Sequence, residues 1–402
     1  MPAPNYFCGV NKRIVVGLSG GVDSSVAAHL LLEQGYEVIG IFMRNWHDDS
    51  VTINNECPWI DDSNDAMLAA SHLGIPFHVL DMSKEYHERI VEYMFREYAA
   101  GRTPNPDILC NREIKFDLFL EAARQLRIDT VATGHYCRRE PLDLPGGERK
   151  YRLLAGVDAN KDQSYFLCQV SQEQLGSALF PIGHLKKNEV REIARKIGLP
   201  NAEKKDSQGL CFVGKVKLPV FLKKQLLPNA GKVIEIPRDV TGRSIGGQWP
   251  SEVEREAASL VLTEADGKVA GEHDGIQFYT IGQRKGLSIG GRPEPMFILD
   301  IDPEKNLLFV GQGEHHPALY RKGLFIPSSD LHWVRDDLEM HPGETRNYRA
   351  RIRYRQPLAD VELHRKDAGM YLIFKEPQRG IARGQFAAWY DGEELIGSGV
   401  IA

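Results

Sequence analysis

Over the first half of the chain, short apolar runs alternate with stretches whose apolar residues recur every three or four positions. Ile14, Val15 and Val16 form an unbroken β-branched run of the kind a buried parallel strand carries. Val22, Val26 and Leu30 then share one face of a helix that Gly35 closes. Residues 37–43, 76–81 and 129–133 read as further strands. Helices are predicted from Ser63, as N-cap, to Gly74, from Ser83 to Gly101, over 112–126 on Ile114, Leu118 and Ala122, and over 188–198. A hairpin is predicted through 151–157. This alternation predicts an α/β fold, a doubly wound parallel sheet whose ligand sits outside the carboxyl ends of the strands. Beyond about Val216 the helical period fades into Gly-rich turns and short strands. The expected domains are therefore 1–216, a mostly-β central domain over 217–294, and a C-terminal β-barrel over 295–402.

Composition narrows the class. The 402 residues are 42% hydrophobic, with no signal-peptide core at the N-terminus and no run long enough to span a membrane. Six cysteines lie far apart without a C-x-x-C pair, which speaks against a disulfide framework or a zinc site and predicts no resident metal. A cytoplasmic location with reduced thiols is expected. The net charge of −5 excludes a protein that is basic all over. One stretch does stand out: residues 186–224 hold eleven Lys/Arg against four Asp/Glu, a footprint suited to a phosphate backbone or to a solvated helix face.

The candidate chemistry begins at the turn between the first strand and the first helix, Leu18-Ser19-Gly20-Gly21-Val22-Asp23-Ser24-Ser25. A Gly-rich strand-to-helix turn aims backbone N–H groups and the positive helix end at one point, which suits a phosphate. Gly20 and Gly21 remove Cβ where an anion must approach, and the serines add hydroxyl donors. The lysine that ends a kinase-type loop is absent. Met43 and Gly134, each at the end of a predicted strand, fall at the same edge of the sheet. Thr103-Pro104-Asn105-Pro106-Asp107-Ile108-Leu109-Cys110-Asn111 alternates prolines with polar residues and predicts a stiff loop ahead of the 112–126 helix. Cys110 would then precede a helix N-terminus, where the dipole favours thiolate, with Asp107 placed to carry protons. Gly134-His135-Tyr136 follows a predicted strand, Lys161-Asp162-Gln163 packs a cation, a carboxylate and an amide into three residues as suits reading a polar ligand, and Cys211 stands near Gly209 in a predicted loop. If residues 346–355 form a strand, Arg349, Arg351, Arg353 and Arg355 share one face, opposite Tyr348, Ile352 and Tyr354. Four like charges on one face match a nucleic-acid backbone better than a need for stability.

The turn alone resembles the pyrophosphate loop of ATP pyrophosphatases, which split ATP between the α and β phosphates. Taken in order with Asn-Pro-Asp-x-x-Cys-Asn, Gly-His-Tyr, Lys-Asp-Gln-Ser-Tyr and Asp-Ser-Gln-Gly-x-Cys-Phe, it resembles the tRNA-specific 2-thiouridylases over nearly the whole chain. The resemblance implies an adenine nucleotide alpha hydrolase-like domain and ATP-dependent replacement of the C2 oxygen of a wobble uridine by sulfur. It implies ATP contacts at Gly17, Leu18, Ser19, Gly20, Gly21, Val22, Asp23, Ser24, Met43 and Gly134, with Mg²⁺ accompanying the nucleotide. Asn105, Pro106 and Asp107 would meet the target base. His135, Lys161, Asp162, Gln163, Arg353, Tyr354 and Gln385 would contact tRNA. Cys110 would be the nucleophile and Cys211 the carrier of a persulfide from a sulfur-donor protein. The run from Phe278 to Leu287 matches the family's central-domain motif, whereas 239–262 is longer than the family pattern and Arg383-Gly384-Gln385 stands where Pro-Gly-Gln is common. Direct attack by the persulfide and prior release of sulfide both fit. Two other classes stay open on the residues alone: an adenylating synthetase that uses ammonia, and a tRNA-binding protein with a relict site.

Overall fold

The computed structural model describes residues 12–45, 58–205, 218–239, 249–258, 260–287 and 289–402. The chain divides into two compact units. One comprises residues 1–86, 111–164 and 170–214, the other residues 87–110, 165–169 and 215–402.

The first unit is built on five parallel strands: β1 (Arg13–Gly17), β2 (Glu37–Arg44), β3 (Phe77–Asp81), β4 (Val131–Ala132) and β7 (Ala178–Leu179), in the order β3-β2-β1-β4-β7. Ile14, Val15 and Val16 have no exposed surface, as expected of a strand covered on both faces. Helix α1 (Val22–Glu33) follows β1 and ends before Gly35, whose φ of +81° is a conformation glycine adopts without strain. Ala28 and Leu31 of α1 pack with Ile14, Val16 and Phe42, while Val22 and Val26 pack with Val190 and Ala194 of the helix Lys187–Lys196. Helix α2 (Pro58–Leu73) runs from Pro58 rather than from the expected cap at Ser63, with proline in the first turn where its missing N–H costs nothing. The predicted hairpin is longer and earlier, pairing β5 (Cys137–Asp143) with β6 (Arg149–Ala155).

In the second unit, the predicted 83–101 helix is interrupted by a π-helical stretch, His87–Val91, ahead of Glu92–Ala99. A helix, Leu218–Gln225, stands where the periodicity suggested only short strands. The strands β8 (Gly231–Glu235), β9 (Lys268–His273), β10 (Met296–Asp302) and β11 (Leu307–Gln312) form a sheet ordered β10-β11-β8-β9. The central strands of this sheet are buried on both faces. Phe297 and Leu299 join one apolar cluster, and Met296, Ile298 and Ile301 the other. A register shift between Ile298 and Asp300 moves Ile301 onto the Ile298 face, as one extra residue must. The C-terminal strands are β12 (Tyr320–Pro327), β13 (Leu331–Trp333), β14 (Thr345–Arg351), β15 (Ala359–Lys366), β16 (Gly369–Arg379), β17 (Phe386–Asp391) and β18 (Glu394–Val400). They pair antiparallel around Leu324, Leu363, Leu372, Trp389 and Ile396.

One buried ion cluster in this β-rich region makes a stability prediction. Arg335 is 6% exposed and donates to Glu394 at 2.5 Å and to both Asp337 oxygens at 2.7 and 2.6 Å. Removing one partner of a buried pair leaves the other charge uncompensated, at a cost of about 3–5 kcal/mol. Glu394→Ala is therefore expected to lower the urea midpoint of the C-terminal region clearly. The pair Arg335→Met with Glu394→Leu should recover most of the loss, and a midpoint unchanged in Glu394→Ala would show that the cluster is not holding the strands.

Candidate active site

The strand order reverses between β1 and β4, and the turn after β1 and Gly134 after β4 both lie at that switch point, where open α/β sheets bind ligands. Leu18 extends the β1–β2 ladder by donating to Ile41 O at 2.9 Å, and the chain then turns into α1. Gly21 is the N-cap residue and has no side chain to cap the helix, so the helix end keeps amide donors for a ligand. The serines shape the turn itself. Ser24 Oγ accepts from Ser19 N at 3.1 Å, and Ser24 and Ser25 both donate to Gly21 O at 3.1 Å. Gly20 has φ +74°, and a Cβ there would lie 2.2 Å from Asp62 O, so no other residue fits without moving backbone. At Gly134 a Cβ would stand 2.7 Å from Ser24 N, which brings the end of β4 into contact with the turn. Met43 packs over Gly17 in the same way, its Cε 3.3 Å from where a Cβ would be.

The cation missing from the loop arrives from elsewhere in the unit. Lys187 Nζ lies 2.8 Å from both carboxylate oxygens of Asp23, and Tyr136 Oη donates to Asp23 at 2.7 Å. Asn201, 5% exposed, donates to Gly20 O and Ser25 Oγ at 3.0 Å, buttressing the turn from below. Asn45, 1% exposed and immediately after β2, has neither amide atom paired among the described residues. An orphaned amide at the ligand edge of the sheet fits a nucleotide better than a dry core. Sequence reasoning singled out none of these four as site residues. The available signal was the anion turn that lacked its own lysine. No group of three or more metal-ligating side chains occurs among the described residues.

Three basic residues of the helix are engaged within the unit, while Lys186 and Lys196 stay exposed and 206–217 lie outside the described residues. Besides Lys187 on Asp23, Arg191 donates to Ala202 O and Lys204 O, and Arg195 pairs with Glu203 at 2.7 Å. His135 is buried against Phe116 and Phe180, bonded to Thr133 Oγ1 at 2.7 Å. Burial pushes its imidazole well below the ordinary range, and the charge of Lys115 acts in the same direction, so it is neutral. Asp162 is buried too, accepting from Gly156 N and Ser164 N, while Gln163 accepts from Tyr136 N at 3.0 Å. His135 and Asp162 therefore present no exposed side chain; they hold the shape of the loops that carry Tyr136 and Lys161.

In the second unit the segment 103–110 departs from the stiff loop expected of it. Asn105 is an N-cap whose Oδ1 accepts from Ile108 N at 3.4 Å, and a short helix starts at Pro106, at the position where proline is tolerated. The residue read as lying before a helix is thus already inside one. Cys110 N–H bonds back to the carbonyls of Pro106 and Asp107, and its side chain has no exposed surface. It opens a π-helical stretch, Cys110–Leu118, a geometry frequent at functional sites. Gln385 fastens the start of the segment, donating to Thr103 O at 3.0 Å and Pro104 O at 3.3 Å, with Asn105 Nδ2 3.5 Å from its Oε1. Tyr165 donates to Phe386 O at 3.0 Å, and Phe166 meets Tyr354 with ring centroids 4.4 Å apart. The structure thus brings Asn105 and Gln385 together. Cys211 and the 240–248 part of the long 239–262 stretch lie outside the described residues.

The arginine strand is also corrected. β14 ends at Arg351, which is 8% exposed and stacked over Tyr390 at 4.9 Å, so the four arginines do not share an open face. Arg353, Tyr354 and Arg355 instead lie in the turn that follows, with Arg355 at φ +62°. Arg353 donates to Arg379 O at 2.5 Å.

A parallel sheet with an anion-binding turn at its switch point defines the first unit as a nucleotide-binding α/β domain. Residues 12–215 match the family described as "tRNA methyl transferase HUP domain", 252–312 its "PRC-barrel domain", and 325–401 an "Aminomethyltransferase beta-barrel domain". Similar curated proteins are each called "tRNA-specific 2-thiouridylase MnmA". That of Christiangramia forsetii is 56% identical, with 97% of this chain and 100% of the relative covered. Those of Flavobacterium johnsoniae and Bacillus subtilis are 56% and 44% identical, each over 97% of this chain, covering 100% and 95% of the relatives. The chain belongs to the tRNA-specific 2-thiouridylase family.

Proposed function

We propose that this enzyme thiolates the wobble uridine of tRNA at C2, using ATP to activate the C2 oxygen. Uridine C2 resists substitution because its oxygen leaves poorly. Attack of that oxygen on the α-phosphate of ATP expels pyrophosphate and converts the oxygen into part of AMP, a good leaving group. The turn Gly17 to Ser24, with Met43 and Gly134, holds ATP; Lys187 and the α1 N-terminus take the charge developing on the phosphates. Asp23, the carboxylate of the turn, would hold a Mg²⁺ accompanying the nucleotide, and that ion would supply neutralisation of phosphate charge. Asn105, Pro106 and Asp107 receive the base once it has left its stack. Lys161, Arg353 and Tyr354 grip tRNA, while His135, Asp162, Gln163 and Gln385 shape the loops that do so.

Cys211 carries a persulfide loaded by a donor protein. Its terminal sulfur replaces the C2 oxygen and AMP departs. The Cys110 thiolate attacks the inner sulfur of Cys211 either before C2 is attacked, expelling hydrosulfide that then displaces AMP at C2, or afterwards, expelling 2-thiouridine from its mixed disulfide with Cys211. The persulfide S–S bond breaks and a Cys110–Cys211 disulfide forms, which a thiol reductant must reopen. Adenylation belongs to residues 1–216, and tRNA binding is shared with 217–294 and 295–402. No helix among the described residues is long and apolar enough to cross a membrane. Reduced thiols suit a cytoplasmic enzyme.

The observation that supports this reading most directly is the Asp23–Lys187–Tyr136 set at the switch point of a nucleotide-binding sheet. Incubation with ATP, tRNA and sulfide, followed by nucleoside mass analysis, tests it. The expected product is 2-thiouridine with one AMP and one pyrophosphate per thiolated base. Release of ADP and phosphate, or AMP formation independent of tRNA, would overturn it, and an aminated nucleotide would identify an ammonia-using synthetase.

A further inference from the structure

We propose that the loop Thr280–Gly286 is a phosphate grip, in which Arg284 and Lys285 hold the RNA backbone on either side of the target base. The inference rests on the reading of Asn105–Asp107 as the segment that receives that base.

The loop is braced and its two cations are free. Gln283 N–H donates to Thr280 O at 3.0 Å, which closes a turn. The Gln283 side chain then ties the turn at both ends, Oε1 accepting from Thr280 N at 3.1 Å and Nε2 donating to Lys285 O at 2.8 Å. Gly282 N–H donates to Ile298 O at 2.8 Å and Ile298 N–H to Gln283 O at 3.0 Å, so the turn is fastened to β10. Gly282 and Gly286 stand at φ +83° and +85°, a conformation that strains other residues. Arg284 and Lys285 lie between these fixed points with their side chains exposed. Neither side chain has a hydrogen bond or ion pair among the described residues. Two cations on a loop that is already ordered give up little backbone freedom when an anion arrives.

Position identifies the anion. Thr280 Oγ1 lies 3.3 Å from Thr103 Oγ1, two residues before Asn105, so at most about 7 Å of chain separates this contact from Asn105. A Cβ at Gly101 would lie 3.3 Å from Ile276 Cδ1 and from Pro303 Cβ, so the chain leading into the base-receiving segment packs closely here as well. That segment brings no cation of its own. Thr103 to Pro106 are uncharged, Asp107 is an acid, and Arg102 is spent on Glu97, to which it donates at 2.6 and 2.7 Å. A base taken out of its stack is held in place by the backbone on either side of it, and those phosphates need a counter-charge. Arg284 and Lys285 are the free cations next to Thr103. Arg353 extends the same surface: a Cβ at Gly380 would lie 3.3 Å from Arg353 Nη1 and 3.8 Å from Gly282 Cα.

The double variant Arg284→Gln with Lys285→Gln tests this in the full-length enzyme, with Arg284→Lys as the charge-preserving control. Binding is measured over a range of salt concentrations, to whole tRNA and to the isolated anticodon stem–loop. Loss of two phosphate contacts should weaken binding about tenfold or more at low salt. It should also make the slope of log affinity against log salt shallower by about 1.4–1.8, because each contact contributes about 0.7–0.9. Both RNAs should show the same loss, and Arg284→Lys should keep the wild-type slope. An unchanged slope with whole tRNA would overturn the proposal. So would an effect confined to whole tRNA, which would place the cations away from the anticodon. The binding measurements use neither ATP nor a sulfur source. Failure of the thiolation reading would show as a wild type that binds tRNA without forming 2-thiouridine, and the salt slopes would still decide the grip.

Discussion

Lys187→Ala is expected to slow tRNA-dependent pyrophosphate release by about 10²–10³-fold, with tRNA affinity unchanged. Removing one preorganised charge donor from a low-dielectric site costs about that much. Lys187 has 13% of its side chain exposed, so its ammonium acts in a partly dry site where charge is worth more than in water. Its pairing with Asp23 keeps the cation aimed at the turn. Asp23→Ala should therefore also fail, for two reasons: the turn loses its carboxylate and Lys187 loses its guide. Tyr136→Phe removes only one of the hydrogen bonds to Asp23 and should cost about tenfold or less. Pyrophosphate release at the wild-type rate by Lys187→Ala would show that the lysine serves only to neutralise Asp23.

Cys110→Ser should abolish 2-thiouridine formation, by on the order of 10³-fold or more, while sulfur still loads onto Cys211 and ATP and tRNA still bind. The thiol is fully buried, so it can act only after the segment moves. Cys110 opens the π-helical stretch, a geometry frequent at functional sites. In the free enzyme, alkylation of Cys110 by iodoacetamide should accordingly be slow. Labelled persulfide donor followed through the protein and into tRNA checks the main claim. Thiolated tRNA from Cys110→Ser at the normal rate would mean that Cys211 works without a resolving thiol.

Both predictions depend on features of different legibility. The strand at Ile14–Val16, the turn and helix α1 could be read directly, because their hydrophobic periods and glycines are local and the helix needs no distant partner to be recognised. Asn105 as an N-cap was also written locally. The alternating prolines obscured it, since Pro106 reads as a helix breaker unless it is placed in the first turn. Lys187 could not be read, because it lies 164 residues from Asp23 and its neighbours on the helix are ordinary surface bases.

The arginine strand shows the same limit from the other side. Its period of two was visible, but period alone does not say which positions another strand will cover, and Tyr390 from β17 buries Arg351. By itself, then, the sequence determined the strand–helix alternation of the first unit, the anion turn and the family, because these follow from short-range sterics, backbone hydrogen bonding and residue spacing. The tertiary structure alone decided which cation meets Asp23, that Gln385 faces inward to clamp Thr103 and Pro104, and that Cys110, His135 and Asp162 are buried. These are outcomes of packing between residues far apart in the chain, where burial and charge pairing are set by neighbours that no local pattern records.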